Sequence, residues 1–487
     1  MVKDRDLISI QEVRKLIKKA KEAQARFSSF DQQKIDEIVE AVSEAASKEA
    51  VNLAKLAKEE TGFGRWEDKV EKNKLASEKL YQYIKDMKTI GILNEDREKK
   101  IIEIGVPVGV IAGLIPSTNP TSTVIYKALI SLKAGNAIIF SPHPSAIECI
   151  SKTAEILNRV AIESGAPDGL ITCMKYPTIE GTNELMSHKD VGLILATGGS
   201  AMVKAAYSSG TPALGVGPGN VPSYIERSAD IKLAVERIFA SKTFDNGTIC
   251  ASEQSIVTEK AIEDKVKYEI EKQGGYFLKG EKLEKVVKIM ETPSGGMNPQ
   301  IVGKSAQEIA DMVGIDIPKG TRILLCEEKG IGKEHPFSKE KLTTLLGFYV
   351  AQDWKEAAEI CSRLLENGGL GHSLSIHSDN ENIIKEFGLR KPVSRLLVNT
   401  PSSQGAVGIT TNLAPSLTLG CGALGGSASS DNIGPMNLIN IRRLAYGVED
   451  VKTIACPAEG SSSLENIDIE TITKLVLEEI QKITNKN

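Results

Sequence analysis

The chain is poor in the residues that bind metals or staple loops together. It has five histidines in 487 residues, none placed with another at ligand spacing, which argues against a histidine metal centre. Its seven cysteines (149, 173, 250, 326, 361, 421 and 456) are scattered, with no CxxC pair. That pattern excludes a disulfide framework or zinc ribbon and fits reduced thiols in a cytoplasmic setting. No apolar run reaches the length of a membrane span,. The first residues, MVKDRDLISIQEVRKLIKKAK, carry charge throughout, so no secretory signal is expected. A formal net charge of -4 gives no basic field for nucleic acid or an anionic membrane. GxGxxG is also missing. GVGPGN (215–220) comes closest, but it opens no apolar helix.

What is present is an ordinary globular composition, 41% hydrophobic and 25% charged, long enough for two or three domains. Residues 8–88 read as helices. Ile35, Ile38, Val39, Val42, Ala45 and Ala46 keep to one helical face, and the Glu- and Lys-rich remainder reads as solvated, with no chemistry in it. From residue 99 the period changes. Short β-branched runs (GVIAGLI, AIIFS, ITCMK, VGLILATG) alternate with amphipathic stretches up to PALGVG, which predicts a parallel, doubly wound α/β sheet. A second α/β pattern fills 222–435 and ends in the loop LTLGCGALGGSASSDN. Residues 437–447 read as a strand with no partner in their own domain.

Three strand-to-helix turns fall at one edge of the first sheet: PSTNPTS with Asn119, SPHP at 141–144, and ATGGSA with Thr197, Gly198, Gly199 and Ser200. Such turns let a phosphate approach the backbone and the start of a helix. Singly they read as capped polar turns; together they point to a dinucleotide. The remaining chemistry lies in SKTFDNGTICASEQSIV (241–257), where small and polar residues crowd Cys250. A partly exposed thiol near backbone N–H groups is a candidate nucleophile, and a buried, inert thiol is the alternative.

Several motifs resemble the CoA-acylating aldehyde dehydrogenases over roughly residues 10–447: ETGFG with KVEKN, PSTNPTST, GNAIIFSPHPSA, TFDNGTICASEQ, EHPFSKEKL, GGLGHS and PSLTLGCGALGG. The resemblance implies an aldehyde dehydrogenase-like α/β fold. A Rossmann-like cofactor domain would span 1–221, with an oligomerisation hairpin near 89–107 and a catalytic domain over 222–435. A strand at 436–455 would pair with a neighbour's hairpin in a homodimer or dimer of dimers. It further implies Cys250 as nucleophile, with Asn119 and the Cys250 N–H as oxyanion donors. NAD, or NADP, would lie along Ser141, Pro142, Thr197, Gly198, Gly199, Ser200 and Gly217, with coenzyme A as co-substrate and no metal. His335 falls where ordinary members carry a Glu near the nicotinamide ribose, with a surface-loop role as the alternative. His372 reads as a structural loop histidine, with support of the active site as the alternative.

Two departures from the hydrolytic members follow from the same resemblance. Gly215 stands where they carry a water-activating Glu, which favours release of the acyl group to a CoA thiol. Ser141 and Pro144 replace the Lys and Glu that read the ribose, which leaves NAD and NADP open. The expected reaction is oxidation of a small aldehyde such as acetaldehyde or propionaldehyde. An anionic aldehyde (succinate semialdehyde or sulfoacetaldehyde), a hydrolytic enzyme and a non-enzymatic scaffold are the alternatives. Beyond this core, CPAEGSSSLEN (456–466) reads as a linker and 467–483 as an amphipathic helix,. That helix would either pack back on the enzyme or dock into a bacterial microcompartment shell protein. Its polar face is as acidic as it is basic, which argues against a membrane.

Overall fold

The computed structural model describes residues 4–293, 296–450 and 468–484. The chain divides into two compact units, Met1–Asn94 with Glu103–Arg443, and Glu95–Ile102 with Leu444–Asn487.

The first unit opens with helices Arg5–Phe27, Gln32–Lys48, Ala50–Thr61 and Trp66–Lys74. Asp4 and Asp31 cap the first two by accepting backbone N–H groups,. Val13, Ile17, Ala20, Ala23 and Phe27, and then Ile35, Ile38, Val39, Val42 and Ala46, recur at three- and four-residue steps and are buried in one core,. After Lys74 the backbone widens into a π-turn, Leu75–Lys79.

A five-stranded parallel sheet follows, in the order Ile171–Cys173, Ala137–Pro142, Val110–Ile115, Val191–Thr197, Ala213–Val216. Val110–Ile115 is buried at every position, as expected of a strand covered by helices on both faces. The chain fills one side of it first and then crosses to the other. The switch point therefore lies between Val110–Ile115 and Val191–Thr197, and a crevice opens beyond their C-terminal ends. The turns at 116–119 and 197–199 face each other there.

The second sheet has seven parallel strands, ordered Gly275–Phe277, Ile323–Glu327, Leu345–Ala351, Glu253–Glu259, Val221–Ile225, Gly371–His377, Val393–Val398. Sequence patterning misses Val221–Ile225, Gly275–Phe277 and the helix Ala306–Val313, which starts in a Ser305/Glu308 capping box,. Both sheets belong to the first unit. Residues past the second sheet return to the first core, where Ile433 and Leu438 are buried.

The segment expected to lack a partner forms the strand Ile439–Ala445. It completes a three-stranded sheet with Gly91–Asp96 and Ile101–Pro107 of the same chain, and Arg443 Nε lies 3.1 Å from Glu103. The strand finds no partner within 222–435, as expected, but the implied pairing with a neighbour's hairpin is corrected: the hairpin of this same chain supplies its edge. In the second unit, Ile469–Thr484 is a helix with no buried residue. The linker read at 456–466 lies outside the described residues. Among the described residues, no helix is long and apolar enough to cross a membrane.

Candidate active site

The second sheet contributes the N-terminal ends of its strands. Cys250 lies just before Glu253–Glu259, Gly219 before Val221–Ile225, Glu340 before Leu345–Ala351, and His372 at the start of Gly371–His377. These strands are neighbours, so four segments far apart in sequence converge at one edge. They meet the C-terminal turns of the first sheet at a cavity of ≈ 260 Å³ lined by Asn119, Thr197, Gly217, Cys250 and Glu340. A second cavity of ≈ 470 Å³ runs over Ser141, Pro142, Pro144, Ile179 and Met202. Pro116, His143, Thr197, Gly198 and Gly199 line both.

The turn that carries Cys250 is tightly wound. Asp245 and Asn246 both adopt positive φ, 50° each, a conformation that non-glycine residues hold only when their surroundings enforce it. Here the Asp245 carboxylate accepts from Arg65 N (2.7 Å), Lys69 Nζ (2.9 Å), Thr248 Oγ1 (2.7 Å) and Lys72 Nζ. These charge-assisted bonds keep its carboxyl below the usual range against the opposing effect of burial,.

His372 Nε2 lies 3.1 Å from Cys250 Sγ, and its Nδ1 lies 3.1 Å from Ser373 Oγ. Burial pushes the Cys250 thiol up to about 12, helped by the Glu340 charge and opposed by Arg395 and its own backbone N–H. Burial, with the Arg395 charge behind it, holds the His372 imidazole down to about 3. The resting pair is therefore a neutral thiol and a neutral imidazole. With Nδ1–H donating to Ser373, Nε2 is free to accept the thiol proton. Burial also raises Glu340 to about 7, while its Oε1 accepts from Gly219 N at 2.9 Å.

Asn119 is the N-cap residue of Pro120–Lys133, but its side chain makes no capping bond. The amide instead donates to Thr248 O at 3.0 Å and to Thr118 Oγ1 at 3.2 Å, and its oxygen accepts from Lys72 Nζ at 2.7 Å.

The cavities gather most of the residues singled out in the sequence: Cys250, Asn119, Thr197, Gly198, Gly199, Gly217, Ser141 and Pro142. The Ser141 hydroxyl is turned to Thr182 Oγ1, 2.9 Å away. Ser200 begins the helix Ser200–Ser208 behind Gly199, beside the cavities and not in their lining. His335 also falls outside both linings. It pairs through Nδ1 with Glu328 at 2.8 Å, as a loop histidine would.

Three readings change. For His372 the alternative reading replaces the structural one, since it touches the thiol. The Trp66–Lys74 helix is not free of chemistry, since Lys69 and Lys72 are buried against the Cys250 turn. Gly215 does not line the cavity, and a Cβ there would meet Val203 Cγ1 at 2.9 Å and Tyr207 Cε2 at 3.0 Å. The carboxyl that does line it, Glu340, went unnoticed in sequence inside KEKL. KVEKN and GGLGHS were visible as motifs, but their partners are set by sheet order.

A nucleotide-sized crevice at a switch point, opening onto a thiol–imidazole pair, defines a class of enzyme in which a cysteine works beside a cofactor. Residues 5–338 match the model of the aldehyde dehydrogenase family, and the chain belongs to that family. A probable aldehyde dehydrogenase from Listeria monocytogenes EGD-e is 58% identical, with a TM-score of 0.91 over 92% of this chain and 99% of that one. An acetylating aldehyde dehydrogenase from Geobacillus thermoglucosidasius is 52% identical, with the same TM-score and coverage. The bifunctional aldehyde-alcohol dehydrogenase AdhE of Escherichia coli K12 is 46% identical over 448 residues, which are 91% of this chain and 50% of AdhE. The chain thus spans about half the length of the curated aldehyde-alcohol dehydrogenases it matches.

Proposed function

We propose that the chain is a CoA-acylating aldehyde dehydrogenase, which converts aldehyde, CoA and NAD+ to acyl-CoA, NADH and a proton. The observation that carries this reading is the 3.1 Å contact between Cys250 Sγ, which lines the cavity with Asn119, and the buried His372 Nε2 behind it. The acetylating relative supports the acyl acceptor.

The aldehyde carbonyl sits between Cys250 and Asn119. As the C–S bond forms, the thiol proton passes to His372 Nε2. The two transfers are coupled, because neither a free thiolate nor an imidazolium is favoured in this buried setting. Asn119 and the Cys250 N–H hold the oxyanion. Bound NAD+ supplies the hydride acceptor. A thioester on Cys250 remains. His372, which does not hold a proton well in this setting, releases the first one to solvent; the CoA thiol then attacks the thioester, Cys250 leaves as thiolate, and the CoA thiol proton passes by way of His372 Nε2 to Cys250 Sγ.

The chain's residues suit the dinucleotide. Pro142, Pro144, Ile179 and Met202 form an apolar slot, and the N-cap Gly199 brings no side-chain cap to the helix behind it, so that helix start is open to a pyrophosphate. Among the described lining residues no Lys or Arg is present to receive a 2′-phosphate, which favours NAD over NADP.

The substrate is a small uncharged aldehyde. The cavity wall at Ile249, Met297, Val407, Leu417 and Leu419 is apolar, and no Lys or Arg is among the described lining residues. The nearby Arg395 is spent on Gly420 O (2.6 Å), His372 O (3.0 Å) and Asn432 Oδ1 (3.2 Å). An anionic aldehyde would be left without a counter-charge. Glu340 is the observation that favours a hydrolytic enzyme, as a carboxyl in the cavity able to polarise water. The test is NADH formation with and without CoA, together with Cys250→Ala, which removes both forward and reverse activity. Equal rates with and without CoA would leave the hydrolytic reading.

The enzyme is read as a homodimer or dimer of dimers built through the hairpin near 89–107. The exposed apolar stripe Ile472, Val476, Ile480 and Ile483 suits the groove of a microcompartment shell protein.

A further inference from the structure

Lys72 is a buried ammonium whose three N–H groups have three acceptors: Asn119 Oδ1 at 2.7 Å, Thr248 Oγ1 at 3.1 Å and the Asp245 carboxylate. Only 1% of its side chain is exposed. Lys69, one turn earlier, donates to the same carboxylate and to Thr118 O at 3.0 Å. One helix therefore grips the Cys250 turn and the Asn119 turn together. The fit is close: a Cβ on Gly64, just before this helix, would lie 1.8 Å from Asp245 Oδ1.

The side-chain amide of Asn119 could point either end at the cavity. Flipped, its NH2 would face the buried Lys72 ammonium, donor against donor, and its oxygen would face the Thr248 carbonyl, acceptor against acceptor. With the oxygen taken by Lys72, only the NH2 end can serve the cavity side. A cation on the carbonyl oxygen also polarises the amide and makes its N–H groups stronger donors. We propose that Lys72, anchored by Asp245 and Thr248, is a positioning residue that fixes the orientation of the Asn119 amide and strengthens it as an oxyanion donor. This rests on the reading of Asn119 as that donor. Lys72 touches no substrate; it acts through Asn119.

The test is a double-mutant cycle in the full-length enzyme, with steady-state kinetics at saturating CoA and NAD+. Lys72→Met keeps the length and apolar stem of the side chain and removes the ammonium. Its kcat should fall ~10- to 100-fold, part of the ~10²–10³-fold expected for losing the donor outright, with KM for the aldehyde within about threefold. On an Asn119→Ala background, the same substitution should lower kcat by less than about threefold, because the group it orients is gone. A general packing role would instead lower kcat by the same factor on both backgrounds and slow alkylation of Cys250 by iodoacetamide; that result overturns the proposal, as does a Lys72→Met kcat within twofold of wild type. If Lys72→Met does not fold, Lys72→Leu, which also removes the donor and the charge, takes its place in the cycle under the same criteria. Failure of the underlying reading looks different: Asn119→Ala alone would then cost less than about threefold.

Discussion

Replacing His372 with Gln or Ala removes the base and leaves the thiol in place. With the Cys250 thiol pushed up to about 12 by burial, the unassisted thiolate fraction near pH 8 is ~10⁻⁴. General-base assistance of ~10²–10⁴-fold bridges most of that deficit, so kcat for CoA-dependent NADH formation should fall by a factor in that range. His372, held down to about 3, stays neutral above about pH 5, so it imposes no rise on the wild-type profile over the neutral and mildly alkaline range. The variants then depend on hydroxide to make thiolate, and their rate should climb about tenfold per pH unit. The Gln variant keeps a hydrogen-bonding side chain beside Ser373, which controls for collapse of the strand end. Two results would refute the reasoning: a variant with more than about a third of wild-type kcat, or pH profiles of the same shape.

Three further outcomes are expected. Asn119→Ala should lower turnover ~10²–10³-fold, read in the same assay, and a loss below about threefold would remove it from the oxyanion site. His377 is buried with both ring nitrogens unpartnered and held down to about 3 by burial, then by Arg237. Its folded value lies below its unfolded one, so the stability it confers is complete above about pH 6.5 and is lost as pH falls toward 3. His377→Leu should therefore move the acid-unfolding midpoint, followed by circular dichroism, to lower pH, and an unchanged or higher midpoint would contradict this. Deleting residues 458–487 should leave activity nearly intact, and fusing them to a fluorescent protein should recruit it to co-expressed shells. Diffuse fluorescence, or loss of folding on deletion, would favour a helix packed on the enzyme.

The parallel sheets were legible because burial on both faces writes itself as continuous apolar runs, such as Val110–Ile115,. The three glycine- and polar-rich turns were legible for a related reason: strand polarity alone puts them at one edge. Val221–Ile225, with Pro222 and Ser223 inside it, hid its strand character behind a proline and a serine. The chemistry of Lys72 could not be read from the helix that bears it. In KVEKN it resembles any lysine on a solvated face, and its burial depends on Asp245, 173 residues away. His372 reaches Cys250 only because Gly371–His377 lies beside Val221–Ile225, which neighbours Glu253–Glu259, and sheet order is not written in either segment.

The central claim is that the acyl group on Cys250 is released to CoA. The direct measurement is NADH formation from acetaldehyde or propionaldehyde by the full-length enzyme, with free acid and acyl-CoA quantified, in the presence and absence of CoA. Steady-state turnover should require CoA and yield acyl-CoA, with no more than a single-turnover burst in its absence. Equal steady-state rates without CoA, with free acid as the product, would contradict the claim.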